Sequence, residues 1–332
     1  MIALPSRVRL SVGTAMRLGL AGGGVDESFT TAFLMTYSPD GCDANCAFCP
    51  QASGSAPGSD KVSRISWPDY LLEEVLDSWP EEGAFQRVCI QSINYSGVVD
   101  DIAFLAREVR KLTGVPISTA IHPVDRESMR ELKDAGITDI GIAIDACTQR
   151  LFEETKGSGR GAPYRWNSHL DALDEALVVF GAGHVTTHLI VGLGETEVEA
   201  AGFLFEMHRR GIDVGLFAFT PVEGTALEDT PPPDIGSYRR IQIVRYLLTR
   251  GAIQQDQIEA DENGMIRFRL SSTDLKEMLE TGTAFRVSGC RGCNRPYYNE
   301  RPSGPMYNYH HPLSQIELAE ALTESGVGSK DA

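Results

Sequence analysis

The chain has 332 residues, 42% of them hydrophobic, which suffices for one large core or two small ones and excludes a disordered or fibrous protein. Its 46 acidic residues against 30 basic ones give a formal charge of −16, which opposes binding to phosphate backbones, so no nucleic-acid partner is expected. No run reaches the ~18 consecutive apolar residues of a membrane span, and the first ten residues, with Arg7 and Arg9, hold no apolar signal segment; a cytoplasmic protein with no membrane partner is expected.

Short β-rich runs alternate with helical periodicity, the pattern of parallel strands joined by crossover helices. Residues 31–37 read as a first strand. Ser66 is a candidate cap for a helix with Pro68 in its first turn and an apolar stripe of Leu71, Leu72, Val75 and Leu76. A second strand at 87–92 precedes a helix with Ile102, Leu105, Val109 and Leu112 on one face, which stops at Gly114; a third strand covers 115–121. Asp125 starts another helix. A fourth strand lies near 139–145, and a helix carrying Leu170, Leu173, Leu177 and Phe180 leads to a fifth at 185–191; the sixth covers 214–219. Past Pro231, Pro232 and Pro233, a helix over 238–250 and strands near 265–270 and 283–287 bring the count to eight. The expected fold is α/β, a TIM-type (β/α)8 barrel, complete or nearly so, over 31–288. An N-terminal extension (1–30) precedes it, and a Cys-containing segment (289–332) follows and closes the barrel mouth. Chemistry in such barrels sits at the strands' C-terminal ends, and every cysteine except Cys89 lies in or just after such a position. Gly22, Gly23 and Gly24 read as a flexible loop.

Seven cysteines are an odd number for a disulfide framework, and a chain this long does not need staples, so thiols serving as metal ligands are the better reading. Cys42, Cys46 and Cys49 form one group, Cys290 and Cys293 a second, and Cys89 and Cys147 stand alone. In the loop Gly41-Cys-Asp-Ala-Asn-Cys-Ala-Phe-Cys-Pro50, three thiolates spaced by four and three residues can wrap one iron-sulfur cluster and leave an iron open. An open iron can chelate the amino and carboxylate groups of S-adenosylmethionine and deliver an electron to its sulfonium, releasing a 5′-deoxyadenosyl radical. Structural zinc, by contrast, needs four ligands gathered nearby.

With this loop the sequence resembles the radical S-adenosylmethionine (SAM) superfamily, whose CxxxCxxC motif follows the first strand and has an aromatic, here Phe48, before its last Cys. His188-Leu-Ile190-Val-Gly192-Leu-Gly-Glu195 is similar to the family's GxIxGxxE element, with His188 in place of the first Gly. The resemblance implies that Phe48, Gln91, Asp145, Ile190, Gly192 and Glu195 bind the cofactor. Asp145 would be the polar residue that binds its ribose, and a helix cap is the alternative. Where the family has a GGE element, this chain reads Gln91-Ser92-Ile93-Asn94.

Within the superfamily, residues 31–313 look most like biotin synthase, with Cys89, Asp145, the stretches 190–195 and 223–229, and Arg269-Leu-Ser271 finding counterparts. Biotin synthase holds a sulfur-donating two-iron cluster with cysteines from strands 2, 3 and 5 and an arginine after strand 7. Only Cys89 matches; strand 3 offers no Cys, Thr186 appears on strand 5, and Asp274 falls near the arginine's place. The C-terminal Cys290-Arg-Gly-Cys293-Asn-Arg-Pro-Tyr-Tyr-Asn-Glu-Arg-Pro-Ser-Gly304 resembles instead biotin-synthase-like proteins that form one component of a two-protein lipoyl synthase.

That resemblance implies a radical SAM sulfurtransferase with one 4Fe-4S cluster on Cys42, Cys46 and Cys49 and a second, auxiliary 4Fe-4S cluster on Cys290 and Cys293, the catalytic pair that holds the donated sulfur, with Cys89. Its implied partners are an octanoylated lipoyl carrier protein, a second radical SAM lipoyl synthase component and an electron donor. Alternatives are a biotin-synthase-like or other radical SAM enzyme, for carbon-skeleton or methylation chemistry, whose second cluster passes electrons, or a non-enzymatic iron-sulfur carrier. For Cys290 and Cys293 a zinc knuckle with His310 and His311 and a redox dithiol also remain. Cys147 competes with Cys89, and a buried inert thiol is the bland reading of either. Tyr297, Tyr298, Tyr307 and Tyr309 suit an acyl tunnel or plain packing.

Overall fold

The computed structural model describes residues 5–56, 60–80, 83–262 and 264–327. In chain order, strand β1 (Arg7–Leu10) and helix α1 (Val12–Arg17) lead to β2 (Thr31–Met35). The loop holding the first three cysteines follows, then a small hairpin of β3 (Lys61–Val62) and β4 (Ile65–Ser66), β5 (Asp69–Leu71) and α2 (Leu72–Asp77). Next come β6 (Arg87–Gln91), α3 (Val98–Leu112), β7 (Ile117–Ala120), α4 (Arg126–Asp134), β8 (Asp139–Gly141), α5 (Gln149–Thr155) and α6 (Trp166–Phe180). They are followed by β9 (Val185–Val191), α7 (Glu197–Arg210), β10 (Asp213–Ala218) and α8 (Ile235–Thr249). The chain ends with β11 (Ile258–Ala260), β12 (Ile266–Phe268), α9 (Ser272–Leu279) and α10 (Gln315–Ser325).

Eight strands form one sheet in the order β10-β9-β8-β7-β6-β2-β1-β5. From β2 to β10 every neighbour is parallel, while β1 pairs antiparallel with β2 and β5. All five residues of β2 are buried, as a parallel strand covered on both faces requires. A flat sheet would hold β2 and β10 about 24 Å apart, five intervals of ~4.8 Å. Met35 on β2 and Phe217 on β10 nevertheless line one cavity of ≈240 Å³, so the parallel strands curl into a partial barrel. The inside-out alternation along each strand then decides which side chains meet there.

Several sequence expectations are corrected. The seventh and eighth barrel strands do not form: β12 pairs antiparallel with β11 in a separate ribbon, and residues 283–285 make a 3-10 turn. Ile266 is buried while Arg267 is exposed, which suits a one-sided surface ribbon, not a strand covered on both faces. Instead of a ladder closing the barrel, a strap over 288–294 spans the gap. Ser288 Oγ accepts from Leu216 N–H on β10 at 2.9 Å, and Asn294 N–H donates to Thr31 Oγ1 on β2 at 3.2 Å. Part of the 1–30 extension joins the sheet, through β1. Ser66 caps no helix; it lies in β4, and α2 begins at Leu72. Asp125 does cap α4, accepting from Ser128 N–H at 2.8 Å.

Candidate functional site

At the C-terminal ends of the parallel strands, the cavity is lined by Cys42, Cys46, Phe48 and Cys49 from the loop after β2 and by Gln91, Asp145 and Ile190 from three further strand ends. The cysteine loop is tied down from outside. Asp43 N–H donates to Asn94 O at 2.7 Å, Ala47 N–H to Thr155 O at 2.7 Å, and Asn45 Nδ2 to Arg160 O at 2.8 Å. Asn94 N–H in turn donates to Cys42 Sγ at 3.3 Å. Burial alone opposes thiolates: it pushes the Cys46 thiol up, and Cys49 up to about 12. A metal offsets this cost by binding the deprotonated sulfur.

Asp145 is the strained residue of the site. Its backbone adopts φ +69° while bridging to β9, with Asp145 N–H donating to His188 O and Ile190 N–H to Asp145 O. Left-handed backbone is tolerated by Asp better than by most residues. The cap reading fails, because Thr148 caps α5. Lys156, at the end of α5, donates its Nζ to Asp145 Oδ2 at 2.6 Å and to Ala143 O at 2.5 Å. Their side chains are 8% and 11% exposed, so this is a buried ion pair in the cofactor cavity's wall. Sequence reasoning missed Lys156; an 11-residue separation across a bend and a short helix carries no periodic signal.

Gly192 and Glu195 do not line the cavity. Glu195 accepts from Gly192 N–H at 2.5 Å and Leu193 N–H at 3.0 Å, shaping the turn that follows Ile190. Gly192 has φ +107°, and a Cβ there would meet Pro233 Cδ at 2.9 Å. Both shape the backbone that follows Ile190.

The second cysteine group is not at the mouth. Two residues before the cavity-lining Gln91, Ala120 and His188 on their strands, period-two alternation points Cys89, Ser118 and Thr186 inward at a lower level. The strap reaches this level: Cys290 Sγ lies 3.8 Å from Thr186 Oγ1, and Arg87 Nε donates to Arg291 O at 3.0 Å. Burial pushes the Cys89 thiol up to about 12, with Cys290 and Cys293 adding to the rise. These three thiols thus share one interior site beneath the cofactor cavity. Cys147 is excluded from it, being buried beside Glu195 and Glu199. The zinc-knuckle reading fails too, because His310 faces Tyr297 and Asp26 and His311 faces Glu317. The Cys290–Cys293 turn opens no helix, which removes the support for a redox dithiol.

Two arginines, Arg295 and Arg87, act on the lower thiols. Arg295 is 8% exposed, stacks 4.2 Å over the Phe217 ring and reaches Cys293 Sγ at 3.5 Å and Ser288 O at 2.9 Å, with no carboxylate partner among the described residues. Arg245, buried against Val214 O, has its pKa pulled down to about 10 by desolvation, while Arg87 pairs with Asp139 at 3.0 Å. A buried cation without an anion is costly. An anionic thiolate cluster beside Arg295 would remove that imbalance. Among the described residues no three His, Cys, Asp or Glu side chains converge on a single-ion site. His188, in the cavity wall above Thr186, is held neutral by burial, with its pKa pulled down to about 4.

Residues 36–206 match the Radical SAM superfamily. The chain is 28% identical over 242 residues to the biotin synthase of Paramagnetospirillum magneticum, covering 70% of this chain and 69% of that protein. It is 23% identical over 256 residues to the mitochondrial biotin synthase of Arabidopsis thaliana, covering 73% and 62%. Such matches therefore span about two thirds of these relatives' length. Methylornithine synthase (PylB) superposes with a TM-score of 0.51 at 16% identity, over 65% of this chain and 63% of that one, a likeness of fold. No helix among the described residues is long and apolar enough to cross a membrane. With the three-cysteine loop placed at the strand ends as that family's cofactor demands, the chain belongs to the radical SAM superfamily.

Proposed function

We propose that this protein is a sulfur-inserting radical SAM enzyme of the lipoyl-synthase kind, acting on an octanoyl chain attached to a carrier-protein lysine. The observation that carries the reading is the joining of Cys89 to Cys290 and Cys293 inside the barrel, directly beneath the cofactor cavity and beside an unpaired buried guanidinium. Biotin synthases are relatives in sequence, yet here strands β7 and β9 present Ser118 and Thr186 at the level of Cys89. The thiol beside Thr186 comes from the C-terminal strap. The sulfur site is therefore built differently, and dethiobiotin is not the expected substrate.

SAM bound at a four-iron cluster supplies a 5′-deoxyadenosyl radical able to take hydrogen from an unactivated carbon, and a second cluster supplies the sulfur. The chain's own part is placement and protection. Cys42, Cys46 and Cys49 would hold the first cluster, and Asp145, Ile190, Phe48 and Gln91 would surround the adenosyl group. Cys89, Cys290 and Cys293 would hold the second, below, so that a substrate carbon between them touches both levels, as near-attack geometry requires. Phe217 and Tyr298, ring centroids 5.6 Å apart, help keep water out of this space. A carrier protein, a second synthase component and an electron donor complete the reaction.

The test supplies reconstituted protein with SAM, a strong reductant and either an N-octanoyl-lysine peptide or dethiobiotin, with mass spectrometry of the products. Sulfur should enter the octanoyl chain, both insertions requiring a second protein. Turnover of dethiobiotin would overturn the assignment.

A further inference from the structure

A second cavity of ≈250 Å³ lies beside the barrel, between the N-terminal segment and the strap, and the reaction just described does not use it. Its walls include Val12, Gly13, Phe29, Phe33, Trp67 and Pro296. We propose that this cavity binds the acyl chain of an amide-linked substrate, which enters sideways and ends between the two cysteine levels; this rests on the acyl reading above.

Position is the first argument. The cavity shares Tyr298 with the cofactor cavity and Arg295 with the lower thiols. Phe33, in its wall, pairs in register with Cys89. The Arg295 guanidinium is turned onto Phe217 and Cys293, which leaves its aliphatic stem to the cavity. A ligand filling the space therefore terminates at the wall of both proposed reaction levels.

The second argument is chemical. Apolar cavities of about 150 Å³ stay dry and take up small hydrocarbons, so a larger one suits a hydrocarbon chain. Gly13 lets the backbone approach closely: a Cβ there would meet the Phe29 ring at 2.9 Å. Trp67, 1% exposed, forms part of the cavity's inner wall. At the rim stands exposed Asp26, its carboxyl held below the usual range by hydrogen bonds from Ser28. A free carboxylate would meet that charge; a neutral amide would not.

Binding of a fluorescein-labelled N-octanoyl-lysine peptide to reconstituted protein, read by anisotropy, tests the site. Val12→Trp should weaken binding at least tenfold by filling the cavity, and Gly24→Trp should do the same at the rim. A Cβ at Gly24 meets nothing within 4 Å, so that variant folds even if the first does not. Free octanoate should compete at least tenfold worse than the peptide. Iron content, read for every variant, should stay at the wild-type level. If both plugged variants bind as wild type does, the cavity is not the acyl site. If wild type thiolates the peptide while the plugs bind it normally, only this inference falls; if wild type neither binds nor thiolates it, the substrate reading falls with it.

Discussion

Lys156→Met should be among the most destabilising single changes in the cofactor cavity. The methionine keeps an unbranched stem near the Tyr164 ring, over which Lys156 Nζ sits at 5.2 Å, so packing changes little. What disappears is the cation 2.6 Å from Asp145 Oδ2, in a pair whose side chains are 8% and 11% exposed. Removing one partner of a buried pair typically costs about 3–5 kcal/mol, because the other charge stays desolvated. That is a fifth or more of the roughly 5–15 kcal/mol that holds a domain folded. Adding Asp145→Asn should recover about 2–3 kcal/mol, since the double variant buries no charge. Urea unfolding of the cluster-free protein, followed by far-UV circular dichroism, measures all four corners of the cycle. A single-variant loss under about 1 kcal/mol, or a double variant no more stable than Lys156→Met, would show that the pair is not the buried interaction argued for.

Three further outcomes are expected. Anaerobically reconstituted protein should hold about eight irons and the Cys42/Cys46/Cys49 triple variant about four; a wild-type load of four, with zinc on Cys290 and Cys293, would remove the auxiliary cluster. Cys290→Ala should still cleave SAM, uncoupled, and give no thiolated product, whereas Cys46→Ala should do neither; normal sulfur insertion by Cys290→Ala would move the sulfur source elsewhere. His188, lowered to about 4 in the fold against ~6.5 unfolded, contributes stability that is complete above pH 6.5 and lost as pH falls towards 4, by about 3 kcal/mol in all. His188→Gln should flatten that part of the acid-unfolding profile, and an unchanged profile would mean that His188 is not buried neutral.

What sequence reading captured follows from local signals. The six parallel strands announce themselves as apolar β-branched runs, and β9 matches its expected bounds of 185–191. The thiol spacing of the first cysteine loop is itself a local geometry. What escaped is long-range. Nothing near Arg7–Leu10 says that it will add antiparallel to β2, because one edge pairing is decided by the partner. Residues 265–270 and 283–287 look like strands because hydrophobic alternation does not distinguish a surface ribbon from a barrel stave. The depth of Cys290 could not be read either: a position after the last expected strand implies the mouth, whereas the strap carries it down to Thr186. Glu195 and Gly192 sit in a motif that reads as ligand-binding, and the motif does not announce the turn that Glu195 holds through Gly192 and Leu193 N–H.

The strap over 288–294 also bears on how the chain is made. Until it is synthesised, β10 has β9 on one side and an uncovered edge on the other, with Leu216 N–H awaiting Ser288 Oγ. An open, apolar parallel edge is a template for pairing with another chain. Some seventy residues separate Leu216 from Ser288 on the ribosome, and at the 5–20 residues per second typical of synthesis that edge stays exposed for several seconds. The thiols at 290 and 293 arrive in the same stretch that covers it. Protecting the nascent sheet from self-association and completing the lower thiol site are thus one event, and neither can happen before residues 288–293 have emerged.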